Sequence, residues 1–252
     1  MKDIATMIAA RTTAILSALP EEQAGLIAQL EQVDVVQRAG RQFWRGRLQG
    51  HAVVLGLSRI GKVAAATTTT ALIEGLGATQ LLFTGVAGGV GPGVRVGDVV
   101  VGSGYVQHDM DASPLFPRYE IPLYGRTVFP GDEALTAHLL QAATAVAAHP
   151  VAGWSPAVHH GLIASGDQFV NGLVHSENIV AGLQALGHMP LAVEMEGAAV
   201  AQVCADYGIP FAAVRTISDR ADATAHVDFT QFVTEVASVY AQRIVAQFFK
   251  TL

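Results

Sequence analysis

Acidic residues and glycines gather at the ends of apolar runs in this chain, and such places can do chemistry. Residues 191–196 close an apolar run on Glu194 and Glu196, and residues 211–219 close a second on Arg215, Ser218 and Asp219. A buried carboxylate is costly unless it is paired or used. Two such ends in one chain point to acid–base work, with a structural ion pair between Arg215 and a carboxylate as the alternative. A third acidic position follows Ala18-Leu19-Pro20, where Glu21 and Glu22 open a helix. Taken alone, that pair is accounted for by charge complementing the helix dipole, with Pro20 near the first helical position.

Two glycine-bearing segments add to these ends. Residues 84–93 place Gly85, Gly88, Gly89, Gly91 and Gly93 directly after a strand, more glycine than a turn needs, and such backbone lets a ligand approach closely. No G-x-G-x-x-G dinucleotide fingerprint is present there. Residues 56–63 carry G-x-x-x-x-G-K, but Val63 stands where a phosphate-binding loop needs Ser or Thr for Mg²⁺. A glycine turn between strand and helix is the preferred reading of that segment. His108-Asp109-Met110-Asp111 has no matching ligand set elsewhere, and His159-His160 face opposite sides of a strand, so no metal site is expected. No Gly-x-Ser-x-Gly elbow exists to anchor a serine hydrolase.

The elements that must position these ends are short apolar strands alternating with Ala/Leu-rich helices. Strands are predicted over 13–19, 42–48, 51–57, 80–84, 97–107, 159–164, 191–194 and 211–216. Helices are predicted over 21–30, 62–76, 132–147, 174–186, 197–207 and 228–249. Strands with few polar alternations are buried on both faces, and this alternation argues for an α/β fold with a mixed, mostly parallel central sheet flanked by helices on both faces. Ligands in such sheets bind at strand ends. With 252 residues, 51% hydrophobic and 14% charged, the chain has material for one sizeable core, and one domain over 1–252 is the simplest division. A net charge of −6 without a basic cluster argues against nucleic acid. The lone Cys204 excludes an internal disulfide and fits a reducing compartment. Asp3 and Arg11 break the apolar stretch near the start, so no secretory signal is read there, and no segment has the length and apolarity of a membrane span. A cytoplasmic protein is expected. The segment 112–130, with Pro114, Pro117, Pro122 and Pro130, is a long irregular piece of the kind that serves function or a partner.

In order and spacing, these segments resemble the 5′-methylthioadenosine/S-adenosylhomocysteine nucleosidases of the nucleoside phosphorylase superfamily. The resemblance runs from about Ala14 to Phe249. It rests on Ala18-Leu19-Pro20-Glu21-Glu22, Ser58-Arg59-Ile60-Gly61-Lys62-Val63-Ala64, Thr84-Gly85-Val86-Ala87-Gly88-Gly89 and Val96-Gly97-Asp98-Val99. It continues through Ser165-Gly166-Asp167-Gln168-Phe169-Val170-Asn171, Val193-Glu194-Met195-Glu196 and Arg215-Thr216-Ile217-Ser218-Asp219.

The resemblance implies a three-layer nucleoside phosphorylase-like fold, residues 1–12 as an N-terminal extension, and a cytoplasmic enzyme of methionine salvage that needs no metal or organic cofactor. It implies Asp219 as the acid that protonates adenine N7, Glu22 as the residue that deprotonates water, and Arg215 beside it. It also implies Glu196 on the ribose hydroxyls, Met195 on the ribose face, Phe169 stacked on adenine and the Val170 backbone at the adenine edge. Plain core packing is the alternative for Phe169 and Met195. Val86, Ala87, Gly88, Ser218 and Phe229 are implied as further substrate contacts. A homodimer is implied, in which the neighbouring subunit's loop closes the 5′ pocket, with Phe116 and Pro122 as its candidates. The chain departs from the family pattern at Val86, where some members carry Ser, at Pro20, and between Asp111 and Gly125. A phosphorolase, a hydrolase of another purine nucleoside such as aminofutalosine, and a non-catalytic nucleoside-binding module are the competing readings.

Overall fold

The structure is a computed structural model that describes residues 11–220 and 229–252. In chain order the elements are β1 (Thr13–Ser17), α1 (Pro20–Ile27), β2 (Glu31–Arg38), β3 (Arg41–Leu48), β4 (His51–Leu57), and α2 (Lys62–Thr70), which runs into a π turn (Ala71–Gly75). There follow β5 (Gln80–Gly89), β6 (Val99–Gln107), β7 (Val128–Pro130), α3 (Glu133–Ala147), β8 (Val158–Ser165), α4 (Leu173–Gln184), β9 (Pro190–Glu194), α5 (Gly197–Tyr207) and β10 (Phe211–Asp219). The short α6 (Phe229–Phe232) continues through a π turn (Val233–Ala237) into α7 (Ser238–Lys250).

One ten-stranded mixed sheet joins these strands. Its middle is parallel: β4, β1, β5 and β10 run side by side in one direction. The hairpins β2–β3 and β3–β4 extend it antiparallel. The other margin curls round. β10 pairs β6, β6 pairs β8, β8 pairs β9, and β9 returns antiparallel to β5, so that five strands close a ring.

Side-chain alternation places a core on each face. Ala14 and Leu16 of β1 join Ala213, Phe83 and the small residues of α2 and α5, including Ala65, Ala198 and Cys204. Ile15, one residue over, joins Val214, Leu82 and the apolar stripes of α1, α3 and α7, among them Leu26, Leu139, Ile244 and Phe248. Each large aliphatic buried this way contributes about 1.5–3 kcal/mol. Helices therefore cover both faces, as predicted. Among the described residues, no helix is long and apolar enough to cross a membrane.

Two strands were not predicted. β2 is exposed along nearly its whole length and polar apart from Val33, Val35 and Val36, so it carries no burial pattern. It is held through backbone pairing with β3 across a two-residue turn at Ala39 and Gly40, both at positive φ (49° and 68°). β7 has three residues, too short for any periodicity.

Candidate active site

The cleft forms where late β5, the end of β9 and the end of β10 converge. Val193 lies opposite Gly88 in the antiparallel β5–β9 pair, and Asp219 lies opposite Gly88 in the parallel β5–β10 pair. The pairing slips between Ile217 and Asp219, leaving Ser218 as a bulge. Bulges re-aim side chains, and here both Ser218 and Asp219 line the cleft. Ser218 Oγ donates to Asp219 Oδ2 at 2.7 Å, so the buried carboxyl is oriented by its neighbour.

Glu22 sits on the first turn of α1 and is almost fully buried. Its Oε2 accepts from the amides of Ala18 (2.8 Å) and Leu19 (2.9 Å), and its Oε1 from Val86 (3.0 Å). The helix-dipole explanation for this acid is thus incomplete: the carboxylate caps the first turn, reaches across to β5 and faces the cleft. Burial pushes its pKa above the usual 4.5, against the Leu19 amide and the Arg215 charge, which pull it down. Gly85 makes room for this. A Cβ there would lie 3.0 Å from Glu22 Oε1 and 3.3 Å from Arg215 Nη1.

Glu194 ends β9, and Glu196 follows at the corner before α5. Arg215 is fully buried, stacked 3.9 Å above the Phe83 ring, and donates from Nη2 to Glu194 Oε2 at 2.6 Å. Glu194 also accepts from Ser165 Oγ and from the Gly197 amide (2.8 and 3.0 Å), so it caps α5 as well. The structural ion pair weighed for this segment therefore exists, with Glu194 as the partner. Glu196 accepts from the Gly61 amide at 2.9 Å. Burial and the nearby Glu194 charge push its pKa up to about 8, outweighing the Gly61 amide and Arg215.

The remaining predicted residues divide clearly. Val86, Ala87, Gly88, Val170 and Met195 line the same cleft. So does Phe169, which is 47% exposed, and its plain-core explanation is corrected by that exposure. Phe116 and Pro122 lie in the long loop after β6, half-buried, and line no part of this chain's cleft. Phe229 opens α6, and its side chain lies outside the described residues, as does most of the 1–12 extension. Sequence reasoning missed Glu194 as the anchor of Arg215, and missed Ile60 and Gly85 as cleft-lining positions. The paired spacing of Glu194 and Glu196 was the signal for the first. Ile60 has none, being an exposed apolar residue in a glycine turn.

His108 and Asp109 make separate contacts. His108 packs its ring on Gly166, while Asp109 bonds Lys62 Nζ at 2.6 Å. No group of three or more His, Cys, Asp or Glu placed to hold a metal occurs among the described residues.

A three-layer sheet with buried carboxylates at its strand ends agrees with the comparison to known families. The model of the phosphorylase superfamily matches residues 12–250, and the chain belongs to that superfamily. Within it, the chain is similar to the 5′-methylthioadenosine/S-adenosylhomocysteine nucleosidase of Geobacillus thermodenitrificans, at 38% identity over 92% of this chain and 94% of that protein. Among solved structures it is similar to the enzyme of the same name from Neisseria meningitidis in complex with methylthio-immucillin-A. That match has a TM-score of 0.86 and 34% identity, covering 96% of this chain and all of the other. The futalosine hydrolase of Helicobacter pylori is also similar, with a TM-score of 0.85 and 31% identity over 96% of this chain and 99% of that one.

Proposed function

We propose that the chain hydrolyses the N-glycosidic bond of 5′-methylthioadenosine, S-adenosylhomocysteine or both, releasing adenine. The observation that carries this reading is the convergence of Glu22, Glu196 and Asp219 on one cleft whose guanidinium is committed to a fourth carboxylate, Glu194. Asp219, oriented by Ser218, gives a proton to adenine N7. The C1′–N9 bond then breaks with neutral adenine as leaving group, and the ribose becomes oxocarbenium-like. Glu196 holds the ribose hydroxyls, and its proton, held up to about pH 8, leaves a carboxyl that both donates to and accepts from them. Glu22 takes a proton from water as the water attacks C1′. Phe169 stacks on the base, Val170 meets its edge, and Met195 packs on the ribose.

Hydrolysis is favoured over phosphorolysis by what Glu22 occupies. Its carboxylate takes the amides of Ala18, Leu19 and Val86. An incoming phosphate would need such donors and would meet a negative charge instead.

The 5′ substituent is where a second reading has support, since the Helicobacter pylori relative is named a futalosine hydrolase. Phe116 and Pro122, the candidates for that pocket, act from a second copy of the chain in this reading. The near-complete exposure of Leu115 and Leu123 beside them (84% and 90%) supports a loop that covers a partner. A cytoplasmic setting fits the single buried thiol of Cys204.

The test is adenine release from methylthioadenosine with and without phosphate. Equal release, yielding free methylthioribose, is the expected outcome. Phosphate-dependent release would move the chain to phosphorolysis, and preference for another 5′ group in a nucleoside panel would establish the second reading. Tight binding without turnover would leave a binding module.

A further inference from the structure

Two motifs remain outside that mechanism: the incomplete phosphate-loop pattern ending at Gly61-Lys62, and the pair His108-Asp109. The structure brings them together. Lys62 does not reach toward a phosphate cradle. Its Nζ donates to Asp109 Oδ1 (2.6 Å) and Gln107 Oε1 (3.0 Å). The other oxygen of Asp109 accepts from the Asp167 amide at 2.8 Å. Asp167 Oδ1 in turn accepts from the Lys62 amide, again at 2.8 Å. The bonds close a loop through three residues from three separate parts of the chain: the start of α2, the residues after β6, and the turn between β8 and α4. Lys62 and Asp109 keep only 15% and 24% of their side-chain surface exposed, so their attraction is less screened than that of a surface pair.

Each end of the loop adjoins a cleft residue. Gly61, at φ +96°, donates its amide to Glu196, and the next amide is the one that holds Asp167. Asp167 directly precedes Gln168, Phe169 and Val170, which line the cleft. We infer that Lys62, Asp109 and Asp167 are positioning residues forming a clasp that keeps the base-stacking segment in register with the ribose carboxylate. The clasp touches no substrate itself. Its kinetic consequence rests on the nucleosidase reading, and its structural consequence does not.

The experiment is amide hydrogen exchange and steady-state kinetics on Lys62→Met, which keeps the stem and removes the ammonium. Exchange at Gly61 and Asp167 should speed up by about tenfold while core strand β5 is unchanged. The KM for the nucleoside should rise about tenfold, with kcat within about threefold of wild type. Asp109→Asn, whose NH2 must face either the Asp167 N–H or the Lys62 ammonium, should reproduce both effects should the first variant fold poorly. Unchanged exchange at Gly61 and Asp167 overturns the clasp. So does uniform acceleration across the whole chain, and so does an unchanged KM in an active enzyme. If the wild type releases adenine from no nucleoside, the nucleosidase reading fails, and the exchange result alone still decides on the clasp.

Discussion

Asp98 and the cleft acids Glu22 and Glu196 are all shielded from solvent and oppositely treated. Asp98 precedes β6 and is fully matched. It accepts from the amides of Arg95 and Ala157, both at 2.9 Å, and His159 Nε2 lies 2.9 Å from its Oδ2. Burial pushes its pKa up, but His159 and the two amides outweigh this and hold it below the usual 3.8. In the cleft, Glu22, Glu194 and Glu196 share the field of one guanidinium, which among the described residues bonds only Glu194. Glu22 and Glu196 are left to backbone amides, and both are pushed upward. A carboxylate kept for structure is compensated until it ionises easily. The cleft leaves that compensation incomplete, so its acids hold their protons more tightly and can exchange them with substrate and water near neutral pH.

The largest expected effect separates the two regions by chemistry. Asp219→Asn should lower kcat by about 10²–10⁴-fold, the scale of a lost general acid. Asp98→Asn should leave turnover within about threefold, because Arg95, Ala157 and His159 line no part of the cleft. Adenine release at a wild-type rate from the Asp219 variant would remove the assignment of roles. Next in size is Glu194→Gln, which strands Arg215 as a buried, unpaired cation. Breaking such a pair costs about 3–5 kcal/mol, read as a fall in the denaturant midpoint. A loss below about 1 kcal/mol would show that Arg215 swings to Glu22 or Glu196, and that the single guanidinium is not committed after all.

Much of this was legible because burial leaves a mark in composition. The apolar stretches 14–16 of β1 and 211–214 of β10, and the Ala-rich faces of α2 and α5, announce a sheet covered on both sides. Glu196 and Asp219 stood out as acids where apolar runs end. Other features left no such mark. The exposed β2 is held by main-chain bonds, which no side-chain pattern encodes. Ring closure through β9 and β5 depends on two residue pairs far apart in sequence. Glu22 was readable as charge set against the dipole of a helix start, while its bond to Val86 spans 64 positions. Which of two acids, Glu194 at the end of β9 or Glu196 just after it, would take Arg215 was likewise a matter of side-chain direction, decided only in three dimensions.

The smallest effect is a difference in pH response, and it tests the contrast most directly. Glu196 binds its proton more tightly in the folded chain, at about 8 against an ordinary 4.5, because of burial and the Glu194 charge, with Glu22 adding to it and Arg215 opposing. The stability from that group is therefore fully present below pH 4.5 and is lost as the pH rises to about 8. Asp98 has the opposite sign: its contribution is present above its unfolded value of 3.8 and is lost as the pH falls through the lower folded value. Melting curves of the ligand-free protein across pH 3 to 9 should then show each variant acting in its own window. Glu196→Gln should flatten the decline between about pH 5 and 8 and leave the acid side unchanged. Asp98→Asn should cost about 1–3 kcal/mol at pH 7, and the cost should shrink as the pH falls below 3.8 toward the lower folded value. If Glu196→Gln melted in parallel with wild type over that range, Glu196 would be ionised throughout, and the cleft would be as well compensated as Asp98.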